Sequence, residues 1–267
     1  MIRTAVLGAT GRMGQALLRL IASSDDFQLA GAGTEPGHAA IGRDAADGTG
    51  AAPTGILITD QPDEAVADAQ VAIDFTLPNA LTGHLEACVA SGSAMVIGTT
   101  GLTKDHEVSL SEAAERIAIV YGRNMSIGVN VLTALARRAA EILDTDFDIE
   151  ITEAHHRFKI DAPSGTALQL GEAVAAGRGT TLQQSAVYGR HGQTGERERG
   201  SIGIHALRGG RIVGDHSVLF AADEELLELR HRAQDRAVFA RGALYAANWV
   251  HGQAPGLYGM SQVLGLN

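Results

Sequence analysis

Residues 153–166 read Glu153-Ala154-His155-His156-Arg157-Phe158-Lys159-Ile160-Asp161-Ala162-Pro163-Ser164-Gly165-Thr166 and place two imidazoles and an ammonium within a few positions of one another. An imidazole titrates near neutrality and can hand a proton to a reacting atom. Polar and apolar residues alternate in Asp148-Ile149-Glu150-Ile151-Thr152, which predicts a half-buried strand feeding the histidines. From Ala167 to Val174 the apolar spacing is helical, with Pro163-Ser164 as a helix entry and the serine oxygen as its cap. A helix start favours anions, because its unpaired N–H groups and dipole point outward. The chemistry predicted from these residues is a proton donor beside a carboxylate-binding site. Alternation along a strand sends His155 and His156 to opposite faces unless the strand ends there. One is therefore expected to be the acid and the other to meet the substrate or a partner from another angle. No metal is expected, since the stretch lacks a helical His-x-x-x-His pair and no second histidine cluster exists.

The elements that would position this stretch fall into two halves. In the first, an apolar run over residues 2–7 meets Gly8-Ala9-Thr10-Gly11-Arg12-Met13-Gly14 and then a helix beginning near Gln15. Strand, glycine turn and helix in that order are the context of a dinucleotide fingerprint, here spaced G-x-x-G-x-x-G. A second strand, Gln28 to Gly33, ends at Thr34-Glu35, where an acid is expected to meet the adenine-side ribose. Strands at 71–76, 94–100 and 117–121 alternate with helices from Pro78 and from Lys104 to Arg116. Such alternation predicts a parallel sheet covered on both faces, with ligands beyond the strand ends. Those ends include Gly98-Thr99-Thr100 and Gly122-Arg123-Asn124-Met125. The segment 37–55 is expected to be a surface loop without chemistry.

From Ser126 onward the rhythm changes. An amphipathic helix is predicted over 127–143, then the histidine strand, a helix from Ser164 to Ala176, and strands over 201–207, 212–220 and 225–233. Gly209-Gly210 reads as a hairpin turn joining the first two of these. Grouped strands predict an α+β domain with an open mixed sheet. A closing helix is predicted over 237–250. The fold class is thus α/β: a Rossmann-type domain with a parallel sheet, followed beyond a boundary near residue 125 by a second, α+β domain with an open mixed sheet.

A chain of 267 residues can bury a full core in either unit. The formal charge of −10 argues against a nucleic-acid partner, and no apolar run is long enough to span a bilayer. Cys88 is the one cysteine, expected to be buried filler, and the N-terminus lacks the layout of a signal peptide. These point to the cytoplasm.

Several motifs together resemble the 4-hydroxy-tetrahydrodipicolinate reductase (dihydrodipicolinate reductase) family. They are the Gly8–Gly14 turn, Ile73-Asp74-Phe75-Thr76, Val96-Ile97-Gly98-Thr99-Thr100-Gly101, Asn124-Met125-Ser126-Ile127-Gly128-Val129-Asn130 and the block from Glu153 to Ala167. The likeness extends through Tyr188-Gly189-Arg190 and Ile212-Val213-Gly214-Asp215-His216. It implies NADH- or NADPH-dependent reduction of a cyclic dicarboxylate to tetrahydrodipicolinate with loss of water, by a homotetramer assembled through a substrate-binding and oligomerisation domain over 126–237, with 238–267 returning to the dinucleotide-binding domain over 1–125. Carried over by residue, it implies His155 as proton donor and Lys159 as second catalytic residue. His156, Ser164, Gly165 and Thr166 would bind substrate. The cofactor would be held by Gly8, Ala9, Thr10, Gly11, Arg12, Met13, Thr34, Glu35, Gly98, Thr99, Thr100, Gly122, Arg123, Asn124 and Met125. One departure stands out: relatives often carry Glu-Arg after the second strand, whereas this chain has Thr34-Glu35-Pro36. An acid without that arginine predicts a preference for NADH, with Arg12 as a partial rescue for NADPH.

Two other readings compete. A short-chain dehydrogenase would need Tyr-x-x-x-Lys, and no tyrosine here has a lysine four positions on. A non-catalytic nucleotide sensor on the same fold would have no need of His155 and Lys159.

Overall fold

The structure is a computed structural model and describes residues 1–266. The chain divides into two compact units, Met1–Ile127 with Arg236–Asn267, and Gly128–Asp235. In chain order the first unit contains β1 (Ile2–Leu7), α1 (Arg12–Ala22), β2 (Phe27–Gly33), β3 (Ile58–Thr59), α2 (Pro62–Val66) and β4 (Val71–Asp74). There follow α3 (Pro78–Ser91), β5 (Ala94–Ile97), α4 (Lys104–Ala114) and β6 (Ala118–Tyr121). The second unit holds α5 (Ile127–Ile142), which begins at the division, then β7 (Asp148–His155), α6 (Gly165–Gly177), α7 (Leu182–Ser185) and β8 (Ala186–Tyr188). Next come β9 (Ile202–Arg208), β10 (Gly214–Ala221) and β11 (Leu226–Ala233). α8 (Ala237–Val250), β12 (Gly256–Tyr258) and α9 (Met260–Val263) belong to the first unit.

In the first unit seven strands form one parallel sheet ordered β12-β6-β5-β4-β1-β2-β3. Both faces are covered, so a central strand reads as a continuous apolar run. Val71, Ala72, Ile73 and Asp74 of β4 are all at 0% exposure. Alternation divides the core in two: Val6 and Ile73 join Leu17 and Ile21 of α1 and Ala243 and Ala247 of α8. Ala5, Leu7 and Ala72 join Leu81 and Leu85 of α3 and Leu110 of α4. Each buried Leu, Ile or Val contributes about 1.5–3 kcal/mol. Cys88 lies in the second of these cores, fully buried, and burial pushes its thiol up to about 12. It is packing material. The strand order reverses between β1 and β4, which opens a crevice beyond their carboxyl ends.

The second unit has a five-stranded mixed sheet ordered β11-β10-β7-β9-β8. β7 runs antiparallel to β10 and parallel to β9. One face buries Ile149, Ile151, Ile204, Val218 and Phe220 against Leu132 and Ala136 of α5 and Leu170 and Val174 of α6. The other face carries Leu207, Leu226 and the half-exposed Glu150.

This topology overturns the hairpin expected at Gly209-Gly210. β9 and β10 are not neighbours, because β7 lies between them. The link 209–213 steps across the carboxyl end of β7, where the Gly209 N–H donates to the His155 carbonyl at 2.9 Å and the Arg157 N–H to that of Gly210 at 3.3 Å. Gly210 has φ +49°, and a permissive residue serves a link over a third strand as well as a tight turn. The pattern alone does not separate the two.

Segment 37–55 has no strand or helix; its one isolated bridge joins Asp44 to Leu57. Asp44 gathers the loop by accepting from the N–H groups of Ala46, Thr54 and Gly55, which draw its carboxyl down to about 2. The short elements β3, α2, α7, β8, β12 and α9 have no counterpart in the sequence reading. Among the described residues no helix is long and apolar enough to cross a membrane.

Candidate active site

The strand carrying the histidines ends at His155, so His156 escapes the alternation and begins the following turn. Glu153, one strand pitch earlier and on the core side, is 1% exposed. A carboxylate in such a place needs every lone pair occupied. Its Oε2 accepts from His155 Nδ1 at 2.6 Å, and Arg208 of β9 donates to both oxygens at 2.8 Å. The backbone N–H of Ser164 adds 3.0 Å to Oε1. Burial works to raise the Glu153 carboxyl, yet Arg208 and His155 hold it below the ordinary range. With an acceptor-only carboxylate against Nδ1, that nitrogen is the donor, and Nε2 is left for chemistry. Nε2 lies beside Gly214 of β10, where even a Cβ would stand only 3.2 Å away. Burial is the largest influence on the imidazole and pushes it below its ordinary value; Glu153 opposes this, while Lys159 and Arg208 reinforce it.

Ser164 caps α6, its Oγ accepting from the Ala167 N–H at 3.1 Å, a bond worth about 1 kcal/mol. The same Oγ lies 3.0 Å from His216 Nε2 on β10. His216 is pushed down to about 4, first by burial and then by the neighbouring His155, so it is neutral at physiological pH. Its ring meets that of His155 edge-on at 5.1 Å. Glu153 thus ties the histidine-bearing strand to the start of α6, and His216 pins the cap from the other side. Gly165 opens the helix with nothing within 4 Å of where its side chain would be, and Thr166 follows in the first turn. Lys159 is not a bare cation. Its Nζ donates to both oxygens of Asp161 at 2.8 Å, and Arg208 holds the Asp161 carbonyl at 2.7 Å.

The predicted cofactor residues gather at strand ends in the first unit. After β1 the chain turns at Gly8, with φ +80°, and the N–H groups of Gly8 and Ala9 donate to the Gly33 carbonyl. A side chain at Gly14 would collide with the Gly8 carbonyl, so this glycine lets α1 sit down on the turn. Gly11 stands at the cap position before α1 and supplies no side-chain cap, which leaves the first turn open to an anion such as a pyrophosphate. Thr10 meets Thr34 at 2.7 Å, and Thr34 donates to Glu35 at 2.9 Å; the turn and the acid after β2 are therefore one assembly. Backbone and Thr34 hydrogen bonds hold the Glu35 carboxyl below its ordinary value. Thr99 is buried and bonded to Asp74, while the Gly122 N–H donates to the Ile97 carbonyl. Beyond it Asn124 Oδ1 accepts from the Ser126 N–H at 2.8 Å, and Met125 is buried. An uncapped helix, a bare turn and an adjoining acid fit a dinucleotide.

Four participants lay outside the residue-by-residue reading: Glu153, Arg208, His216 and Asp161. Glu153 and Asp161 stand in the histidine block, and a carboxylate two positions before a histidine on one strand face was the available signal for Glu153. Arg208 and His216 come from strands flanking β7, a pairing that the misread hairpin concealed.

Comparison with known proteins bears on both units. The family described as "Dihydrodipicolinate reductase, N-terminus" matches residues 2–125, and "Dihydrodipicolinate reductase, C-terminus" matches 128–264. A 4-hydroxy-tetrahydrodipicolinate reductase of Thiobacillus denitrificans is 53% identical over 265 residues, 99% of each chain. One from Ruegeria pomeroyi is 54% identical, covering 98% of this chain and 97% of its own. A dipicolinate-bound dihydrodipicolinate reductase structure from Paenisporosarcina sp. TG-14 superposes with a TM-score of 0.77 at 26% identity, covering 99% of this chain and 100% of that one. With both of its units matched and relatives above half identity along nearly its whole length, this chain belongs to the dihydrodipicolinate reductase family.

Proposed function

We propose that the protein reduces 4-hydroxy-tetrahydrodipicolinate to tetrahydrodipicolinate with release of water, in the diaminopimelate route to lysine, using NAD(P)H. The observation that carries the reading is the His155–Glu153–Arg208 cluster beside the start of α6, in a chain 53% identical to a named reductase. When bound, the reduced dinucleotide supplies the hydride. The protein's own task is to hold a dianion and deliver a proton. His155 keeps Nδ1 on Glu153 and presents Nε2, from which a proton reaches the negative charge left on the reduced ring. Lys159 serves as the second catalytic group, its ammonium exchanging Asp161 for a substrate carboxylate. His156, Ser164, Gly165 and Thr166 grip the other end, with the α6 N–H groups as donors. A coupled assay tests the reading: the substrate is generated from pyruvate and aspartate semialdehyde by its synthase and NAD(P)H absorbance is followed. Absence of oxidation above background would overturn it.

The finer cofactor reading is a preference for NADH. Glu35, tied to Thr34 and followed by Pro36, accepts ribose hydroxyls and repels a 2′-phosphate. The ratio of kcat/KM for NADH and NADPH is expected to favour NADH, and a clear NADPH preference would remove the idea. The second unit serves substrate binding and assembly; its uncovered sheet face, with Leu207 at 55% and Leu226 at 69% exposure, supports a homotetramer. The lone, buried Cys88 accords with a cytoplasmic setting.

A further inference from the structure

We infer that Asp74 is a positioning residue for the nicotinamide half of the dinucleotide, acting through Thr76 and Thr99 at the ends of β4 and β5. The inference rests on the NAD(P)H reading of the same strand ends. Asp74 closes β4 and is wholly buried. Its Oδ1 accepts from the Thr76 N–H at 2.7 Å, the Thr76 hydroxyl at 2.6 Å and the Thr99 hydroxyl at 3.1 Å. Its Oδ2 meets His84 Nδ1 of α3 at 2.7 Å. A carboxylate only accepts, so both threonine protons are committed inward. Thr76, half-buried, is left with lone pairs and no proton to offer: it reads N–H or O–H donors and cannot donate to a phosphate. Its methyl sits against Gly8, and the Phe75 ring occupies the place a side chain at Gly98 would need. One buried carboxylate therefore ties residues 75–76 to the 98–100 triplet, with the glycine turn packed against the Thr76 methyl.

Which half of the ligand meets this cluster follows from the sheet order. Glu35 at the β2 end faces the adenine ribose and the start of α1 takes the pyrophosphate. β4 and β5 lie on the other side of the reversal, so the carboxamide and ribose of the nicotinamide half are the donors that reach Thr76.

The test compares NADH with ADP-ribose, which lacks the nicotinamide, by direct titration of the intact chain. Asp74→Ala removes the acceptor that both threonine hydroxyls share, and is expected to weaken NADH about tenfold while moving ADP-ribose less than about twofold. Thr99→Val is expected to weaken NADH in the same sense, and the double variant to be no worse than Asp74→Ala alone. Should Asp74→Ala not fold, Thr76→Val, which removes the hydroxyl that Asp74 orients, must give the same split between the two ligands. Equal weakening of both ligands, or unchanged NADH binding, overturns the inference. A wild-type chain that binds neither ligand overturns the cofactor reading and this inference with it.

Discussion

Asp74 in the first unit and Glu153 in the second are chemically alike and differently employed. Each is a carboxylate at or near a strand end, at 0% and 1% exposure, with its oxygens fully engaged. Around Asp74 the donors are two hydroxyls, a backbone N–H and an imidazole. Around Glu153 they are a two-pronged guanidinium, an imidazole and a backbone N–H. Dipoles fix geometry, whereas charged partners also set protonation. The contrast explains why His155 titrates below its ordinary value although a carboxylate lies 2.6 Å away. Arg208 already neutralises Glu153, so burial outweighs what attraction remains. An imidazole so tuned, once protonated at Nε2, gives up that proton readily.

The largest effect that would test this contrast is His155→Gln. It removes the proton and keeps a hydrogen bond to Glu153, so kcat is expected to fall about 10²–10⁴-fold. The Kd for NADH, measured by titration, should stay put, and unchanged turnover would remove His155 as the acid. Glu153→Gln comes next. It leaves the partly exposed Arg208 against a neutral amide on the buried strand face, which costs about 3 kcal/mol in urea unfolding. Glu153 raises the His155 titration, so its loss lowers it further. A donor works only below its own value, hence the falling limb of kcat against pH is expected to move to lower pH. A limb that stays fixed would mean that Glu153 organises the fold and not the acid.

How much of this was legible beforehand follows the range of the interactions. The strand–turn–helix at Gly8–Gly14 and the run from Glu153 to Thr166 were readable, because periodicity, glycine spacing and capping act over a few residues. Ser164 as helix cap is a local fact of that kind. Arg208 and His216 were not readable. They reach Glu153 and Ser164 across sequence separations of 55 and 52 residues, through pairings on both sides of β7. Gly209-Gly210 permits a tight turn and a step over β7 equally, and only the sheet order decides between them. Asp161 failed for another reason: it stood in the block, but nothing in its spacing reveals that it holds Lys159.

Glu150 supplies the smallest and cleanest measurement, because it repeats the Glu153 chemistry on the opposite face of the same strand. Arg190 donates to both of its oxygens at 3.0 and 2.8 Å, with Arg197 at 2.9 Å and His205 at 2.7 Å. Burial works against it, yet these partners bring its carboxyl down from the ordinary 4.5 to about 2. Its side chain is 20% exposed where that of Glu153 is at 0%. If burial is what gives Glu153 its leverage, Glu150→Gln should cost no more than about 1 kcal/mol at pH 7 and leave kcat unaltered. The sign with pH is fixed by the lowered value: Glu150 stabilises the fold above 4.5, and that contribution drains away as pH falls towards about 2. Urea midpoints should therefore decline between those limits in the wild type and decline less in Glu150→Gln. A loss at pH 7 as large as that of Glu153→Gln would show that the number of arginine contacts, and not exclusion from water, sets the worth of a carboxylate on β7.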